Sequence, residues 1–422
     1  MHQKYATVTE EYLAGLPKVN ALTTVTKQVE RDFGPALASQ LGRNLSSALT
    51  VKLGDGHTIS YNLHTMDQAG LWEGGFLNLK STQHYRERGE GVPEIQGKPI
   101  AGLQTWTWAH DGTFEYPKQD LLPRGPMPEK WMRYHGHYLH GNRLVLSYSI
   151  NGRKIFEMPT KGTGFGAIVH TLRIEPGSKP LKLAVVHLPK DDSRRGFLDT
   201  KAPTVNLVNQ SGNDNEKIVV TMTKAEGEVP QFAAAAALGQ TEGLSWNFDD
   251  QGRIILIIPA SDKSRLVKIV RYANRTDAQL LSFAGYLNHL KAKDQLPDPA
   301  KLLRGGKLRW PEIPTTKGKL SGSDEAYVLD ELTLPAKKPG KVWFRTSALA
   351  FFPDGRMAVC THGGDVWIVS GIDQSLANLK WKRFAAGMYE PFGLQVIDGL
   401  VYVTCKDRLT RLHDLNEDGE AD

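Results

Sequence analysis

From Leu45 onward the chain is written in short alternations of apolar and polar residues, broken by turn residues. Alternation over four to eight residues gives a strand one apolar face, and Gly, Asn, Asp and Pro end it. The stretch "SALTVKLGDGHTISYNL" alternates Leu49, Val51 and Leu53, then Ile59, Tyr61 and Leu63, about a Gly-Asp-Gly turn, and predicts a hairpin. "WMRYHGHYLHGNRLVLSYSINGRKIFEMP" holds the turns Gly141-Asn142 and Asn151-Gly152 and predicts a three-stranded meander. "AIVHTLRI", "LKLAVVHL", "KIVVTMTK", "LSWNFDDQGRIILIIPA" and "RLVKIVRYAN" continue the strand pattern. The clear helical period is "AQLLSFAGYLNHLKAK", whose apolar face is Leu280, Leu281, Phe283, Ala284, Leu287 and Leu290; it predicts one helix near 278–293.

The C-terminal stretch contains one unit written twice. "RTSALAFFPDGRMAVCTHGGDVWIVSG" and "EPFGLQVIDGLVYVTCKDRLTRLHD" each run strand, Asp-Gly turn, strand, short turn, strand, with Asp354-Gly355 and Asp398-Gly399 about 44 residues apart. A period of roughly 40–50 residues built of short strands is what a propeller blade gives. Thr346 to Phe352 and Pro391 to Val396 are expected as inner strands, Met357 to Thr361 and Val401 to Thr404 as second strands, and Val366 to Val369 and Leu409 to Leu412 as third strands. "KWKRFAAG" is expected to close the first blade. Two blades close no ring, so the expectation is a truncated propeller whose remaining blades belong to the same longer chain.

The expected fold is therefore mainly β: antiparallel sandwich-like domains followed by the first two blades of a propeller. The expected divisions are a polar tail or linker over 1–42, a β-domain over 43–165, and a second β-domain or continuation of the first over 166–275. A helix with a Pro/Gly-rich linker over 276–325, pinned by Trp310, and a partial propeller over 326–422 complete it. Composition supports this, with 41 glycines and 23 prolines in 422 residues and little helical period. The net charge of +6 is spread along the chain, which argues against a nucleic-acid surface. The start has no apolar h-region and reads as no signal peptide, and the longest apolar run, Phe232 to Leu238, is too short to span a bilayer.

Candidate chemistry is sparse. "DLNEDGEAD" places Asp414, Asn416, Asp418 and Asp422 at positions 1, 3, 5 and 9 of a calcium loop, with Gly419 at the turn and the Glu420 carbonyl at position 7. Alternating short oxygen ligands of this kind converge on Ca²⁺, although the bidentate carboxylate at position 12 has no counterpart. The two cysteines, Cys360 and Cys405, sit on or at the end of second strands and read as buried small hydrophobes; no C-x-x-C-H exists to attach haem. Trp106 and Trp108 share a strand face and read as core residues or as a platform for sugar rings. His135 and His137 alternate onto one face, a spacing that zinc or copper could use and that an exposed strand end explains equally well.

Several stretches resemble a known group: the 131–159 meander, "LLRGGKLRWPEIPTTKGKL", "YVLDELTLP", "FFPDGRMAVCTHGGDVWIVSGID" and "LTRLHDLNEDGEAD". They resemble planctomycete-type large exported proteins in which an N-terminal domain of unknown function precedes a propeller like that of glucose/sorbosone dehydrogenases, often with a c-type cytochrome module further on. The resemblance covers about residues 45–422 and is most specific around Asp354 to Gly371. It implies a periplasmic or cell-surface setting and a dehydrogenase acting on a sugar-like or alcohol substrate. Haem c and pyrroloquinoline quinone are implied only for a longer chain. The alternative is a non-catalytic carbohydrate- or surface-binding module. In a propeller, Arg345 and Glu390 would stand at the channel mouth, just before successive inner strands, and His362 would be a candidate base near it; His362 departs from the family pattern, where tryptophan is expected.

Overall fold

The computed structural model describes residues 31–79, 92–116, 126–188, 193–198, 205–206, 218–223, 231–274, 277–292, 297–322, 326–336, 339–342 and 344–422. The first part of the expected tail, residues 1–30, lies outside the described residues.

Three antiparallel sheets build the larger part of the molecule. A five-stranded sheet runs Ala36–Leu41, Leu45–Gly54, His57–Asn62, Gln68–Glu73 and Lys98–Pro99 in sequence order. A four-stranded sheet is ordered Ser245–Phe248, Arg253–Ile258, Leu181–His187, Thr107–Trp108. The third has nine strands, in the order Val205–Asn206, Ser193–Leu198, Ile218–Thr223, Gln231–Gly239, Arg265–Asn274, Ile168–Ile174, Arg153–Lys161, Arg143–Ile150, Met132–His140. One apolar cluster draws Leu49, Val51 and Ile59 from the first sheet, Leu183 and Leu256 from the second, and Leu146, Ile155, Leu172 and Ile269 from the third. The nine-stranded sheet is thus one layer of a sandwich and the two smaller sheets are the other.

Strand alternation sends the intervening residues of the large sheet outward. Val169, Ala234 and Val270 meet Leu280, Phe283 and Leu287 of the helix Asp277–Ala292. The predicted helix is present with its predicted face, except that Leu281 is 52% exposed and faces solvent. The strand Arg153–Lys161 pairs directly with Ile168–Ile174, Lys161 opposite Ile168. One sheet thus runs across the expected division at residue 165.

The tail expectation for 1–42 fails from Arg31 onward. "ALASQL" has helix-forming composition, but Ala36–Leu41 is a buried strand paired with Leu45–Gly54, because pairing and burial outweigh propensity.

The C-terminal region forms two successive antiparallel meanders. The first is ordered Thr315–Thr316, Leu379–Ala385, Val366–Ser370, Met357–Thr361, Thr346–Phe351, and the second Gly393–Ile397, Leu400–Thr404, Leu409–Leu412. Asp398 and Gly399 both have positive φ, 51° and 75°, as a tight two-residue hairpin requires. The first strands of the two meanders lie side by side, and the Ser347 hydroxyl donates to the Pro391 carbonyl at 2.7 Å. Phe352, Cys360 and Ile368 share one core with Leu394, Val403 and Cys405, and both cysteines are buried and unpaired. Among the described residues these strands close no ring.

A buried charge cluster fastens this region to the sandwich. Asp365 takes Arg31 at 2.6 Å and Arg383 Nε at 3.0 Å. Arg383 lies 4.4 Å from the ring of Trp310, whose indole N–H donates to the Asp32 carboxylate at 2.6 Å. Trp310 does pin the linker, and Glu420 completes the fastening by accepting the backbone N–H groups of Arg309 and Trp310 at 2.8 and 2.7 Å.

Candidate functional site

The interior of the sandwich holds a fully buried polar assembly centred on Glu157. The Tyr61 hydroxyl and His170 Nδ1 donate to its Oε1, both at 2.7 Å. Tyr148 and the Trp106 indole donate to its Oε2, the latter at 3.2 Å. Arg271 donates to His170 Nε2 and to the Gln68 carbonyl oxygen, each at 2.8 Å. An arginine has only donors, so His170 Nε2 must carry the lone pair and Nδ1 the hydrogen. His170 is therefore neutral, in line with a pKa driven down to about 4 by burial and then by Arg271. Burial alone would raise the Glu157 pKa, but the donors from His170, Tyr148 and Tyr61 overcome it and lower it.

Trp106 and Trp108 belong to this assembly. Both are 0% exposed, and Trp106 stacks on His170 with ring centroids 3.8 Å apart. The sugar-platform reading of these two residues is thereby overturned, because no ligand reaches either ring. The strand pair that carries them turns its tryptophan face toward the nine-stranded sheet.

A cleft of about 610 Å³ opens where the sandwich meets the second meander. Ala36, Ala38 and Leu49 of the first sheet form one wall, Tyr134 to Leu139 another, and Met388, Tyr389, Cys405 and Asp407 to Leu412 a third. Its polar groups converge from distant parts of the chain. His137 Nδ1 is 2.7 Å from the Tyr134 hydroxyl. The guanidinium of Arg408 pairs with Asp407, lies 5.5 Å from the Tyr134 ring, and donates to Ser47 at 3.2 Å. Asp407 accepts from Ser47 at 2.9 Å through Oδ2, whereas its buried Oδ1 has no hydrogen-bond partner. Burial, then the Arg408 and Arg309 charges, lower His137 to about 4, and burial raises the Tyr134 phenol to about 12. At neutral pH His137 is a neutral imidazole and Tyr134 a neutral phenol, and the lining adds the Arg408–Asp407 pair, Arg309, Arg411, Asp422, His135 and His413.

A bulge separates the partners of the two histidines, both of which line the cleft. Gly136 has φ +135°, and the pairing slips between Ser147 opposite Gly136 and Tyr148 opposite Tyr134. His137 consequently bonds Tyr134, while His135 bonds Ser149 at 3.2 Å. The shared-face expectation for this pair does not hold.

Arg345, His362 and Glu390 are brought together at the starts of the two side-by-side strands. The His362 amide donates to the Arg345 carbonyl at 2.7 Å, and Lys406 pairs with Glu390 at 3.0 Å. Burial lowers the His362 pKa, opposed by Glu390 and assisted by Arg345 and Lys406.

In the acidic loop Gly419 makes the expected sharp turn, φ +87°. Asp414 accepts the amides of Asp418 and Gly419 at 3.1 and 2.8 Å, Asn416 accepts that of Asp418 at 3.2 Å, and Asp422 accepts that of Leu415 at 2.8 Å. Burial, then repulsion from Asp418 and Asp414, raises the Asp422 pKa. The Glu420 side chain turns away to Lys382 at 2.8 Å. Among the described residues no three His, Cys, Asp or Glu side chains converge as a metal site.

Sequence reasoning missed Glu157, Asp407, Arg408 and Tyr134. Only Glu157 left a signal: a carboxylate at a core-facing position of "KIFEMP". Asp407 and Arg408 meet Ser47 some 360 positions away, beyond the reach of any local pattern.

A family described only as a domain of unknown function (DUF6797) matches residues 59–157, about a quarter of the chain. That segment carries Tyr61, Trp106, Trp108, Tyr134, His137, Tyr148 and Glu157. No curated protein matches the chain by sequence. Similar solved structures include the GH36 α-galactosidase AgaA from Geobacillus stearothermophilus, at 12% identity and TM-score 0.28 over 54% of this chain and 41% of that one. A heparinase III is similar at 9% identity and TM-score 0.28, over 83% of this chain and 42% of that one. The 4-α-glucanotransferase of Thermococcus litoralis is similar at 12% identity and TM-score 0.23, over 53% and 37%. The chain spans less than half the length of each of these proteins.

Proposed function

We propose that this chain is the substrate-holding part of an exported, propeller-type dehydrogenase acting on sugar-like or alcohol substrates, and that the substrate sits in the 610 Å³ cleft. The single observation that carries the reading is the cleft itself. Its size falls in the range of about 300–1,000 Å³ typical of small-molecule sites, it lies at a junction of structural units, and its apolar walls carry a few converging polar groups. The neutral His137 is an acceptor suited to a ligand hydroxyl, and Tyr134 and Arg309 are donors. Two adjacent meanders with side-by-side first strands support the blade reading, and the Arg345, His362, Glu390 and Lys406 cluster would lie at the channel mouth.

Calcium belongs to the same reading, held by Asp414, Asn416, Asp418 and Asp422 with the Glu420 carbonyl. When bound it would neutralise carboxylates that now repel one another. The described residues do not fit a c-type haem, since the two cysteines are buried in separate strands, and no step is routed through haem or a quinone. A periplasmic or cell-surface location is part of the proposal.

The test titrates the chain with a panel of hexoses, alditols and sugar acids by calorimetry. Binding is expected for part of the panel, with a loss of about tenfold or more in His137→Phe and in the cleft-filling Leu412→Trp, each about 1.4 kcal/mol. Absence of binding across the panel, or unchanged affinity in both variants with the fold intact, overturns it. Binding without dye reduction when quinone and Ca²⁺ are supplied favours the non-catalytic binding module instead.

A further inference from the structure

A second, smaller pocket of about 330 Å³ opens at one end of the sandwich, apart from the cleft. It is lined by His110, Asp111, Thr113, Glu115, Tyr116 and Trp131. Three of these six are aromatic rings, two are carboxylates, and none is a lysine or arginine. Burial drives the His110 pKa down to about 4, so the imidazole adds no positive charge at neutral pH. The lining is aromatic and anionic.

The walls are fixed in place before any ligand arrives. His110 and Thr113 exchange backbone hydrogen bonds at 2.7 and 3.1 Å, closing a tight turn in which Asp111 has φ +52°. The Thr113 hydroxyl accepts the Glu115 amide at 3.1 Å. The Tyr116 hydroxyl donates to the Asp67 carboxylate, with His110 Nε2 at 3.3 Å, and its ring packs against the edge of the sandwich core. The His110 ring centroid is 5.1 Å from that of Tyr116 and 6.5 Å from that of Trp131, so the three rings form adjoining walls. Behind them lies Asp67, whose buried Oδ1 has no hydrogen-bond partner. Burial raises that carboxyl to about 7, so the negative charge of the site is carried by Asp111 and Glu115 at the rim.

We propose that this pocket binds a small organic cation carrying alkyl groups on nitrogen, of the quaternary-ammonium type. Aromatic faces attract such cations through their quadrupole, and alkylation removes the strong hydration that a bare ammonium would have to shed. Carboxylates at the rim add long-range attraction without demanding a hydrogen-bond donor. The chain already shows the preference of this ring: the exposed Lys130 ammonium lies 5.3 Å from the Trp131 centroid. A neutral polyol could hydrogen-bond to the two carboxylates but would gain no charge attraction from them. An anion would be repelled.

The experiment titrates the intact chain with choline and with 3,3-dimethylbutan-1-ol, its uncharged carbon isostere, by calorimetry or by NMR of the indole N–H resonances. Choline is expected to bind at least about tenfold tighter than the isostere, a margin consistent with desolvated cation–π contact. Glu115→Gln, an exposed change that leaves the fold alone, is expected to weaken choline about threefold or more, and Trp131→Leu to abolish its binding. Equal binding of choline and isostere overturns the proposal. So does no binding of choline at 10 mM (about the weakest useful affinity), or indifference to Glu115→Gln and Trp131→Leu together. Cleft variants such as His137→Phe leave choline binding unchanged, which separates this site from the one proposed above.

Discussion

Replacing Glu157 by glutamine tests how the two layers of the sandwich are joined. The carboxylate accepts four hydrogen bonds, from Tyr61, His170, Tyr148 and Trp106. A glutamine has one accepting oxygen and an NH₂ that only donates. With its oxygen at the Tyr61 and His170 side, the NH₂ faces the Trp106 indole, which cannot accept. With its oxygen at the other side, the NH₂ faces His170 Nδ1–H, and Arg271 holds Nε2 as the acceptor, so the tautomer cannot switch. Either orientation strands one buried N–H, at about 1–3 kcal/mol, and leaves Arg271 without its anionic counterpart. The expected total is about 3–5 kcal/mol, a large fraction of the roughly 5–15 kcal/mol that a domain has. Denaturant unfolding followed by tryptophan fluorescence measures it directly, since Trp106 and Trp108 report from the affected interior. Tyr61→Phe, which removes one donor and no charge, is expected to cost only about 1–2 kcal/mol. A Glu157→Gln loss below about 1 kcal/mol would refute the assignment of these donors and of the neutral histidine.

Two further outcomes follow from the charge states. Burial raises the Asp67 carboxyl to about 7, so its stabilisation is fully present below its unfolded value near 4 and is lost as pH rises through 7. The full shift corresponds to at most about 4 kcal/mol. His110, His137 and His170, each lowered to about 4, act in the opposite sense and lose stability as pH falls from 6.5 toward 4. The diagnostic quantity is therefore the stability difference between Asp67→Asn and the parent, which should favour the variant increasingly from pH 4 to 8; a flat difference rules the buried carboxyl out. For the acidic loop, Ca²⁺ at 100 times its Kd should add about 2.7 kcal/mol of stability, reversed by chelator and absent in Asp414→Ala. No calcium-dependent rise in Tm would leave the loop an ordinary turn.

How much of this was legible depends on how far apart the determinants lie. The hairpins at Asp354-Gly355 and Asp398-Gly399, the strands Met357–Thr361 and Leu409–Leu412, and the helix Asp277–Ala292 were readable because turn chemistry and periodicity are local. The strand Ala36–Leu41 was not, since its residues favour helix and only the pairing with Leu45–Gly54 decides. Trp106 and Trp108 were correctly placed on one face, but alternation cannot say whether that face meets water or another sheet. Here it meets Glu157, His170 and Arg271, and the sequence contained one hint of that, a lone carboxylate inside an apolar strand. His135 and His137 show the limit from the other side. A single bulge, in which His135 is skipped between the paired Tyr134 and Gly136, undoes a period-two inference made across it.

The cleft is the extreme case. Its walls are joined by contacts such as Arg31 to Asp365, 334 positions apart, and Ser47 to Asp407, 360 apart. These contacts also explain why the cleft can serve as a site at all. Arg31, Arg383, Trp310 and Glu420 tie the meanders to the sandwich through buried charges and a buried indole, so both walls are fixed relative to each other before a ligand binds. A preorganised site avoids the entropic cost of ordering its own walls. The same tie gives the arrangement a mechanical weak point. Asp365→Asn would leave two buried guanidinium groups facing one neutral amide, loosening the cleft from behind without touching a residue that lines it, so ligand affinity and the cohesion of the two regions should fall together.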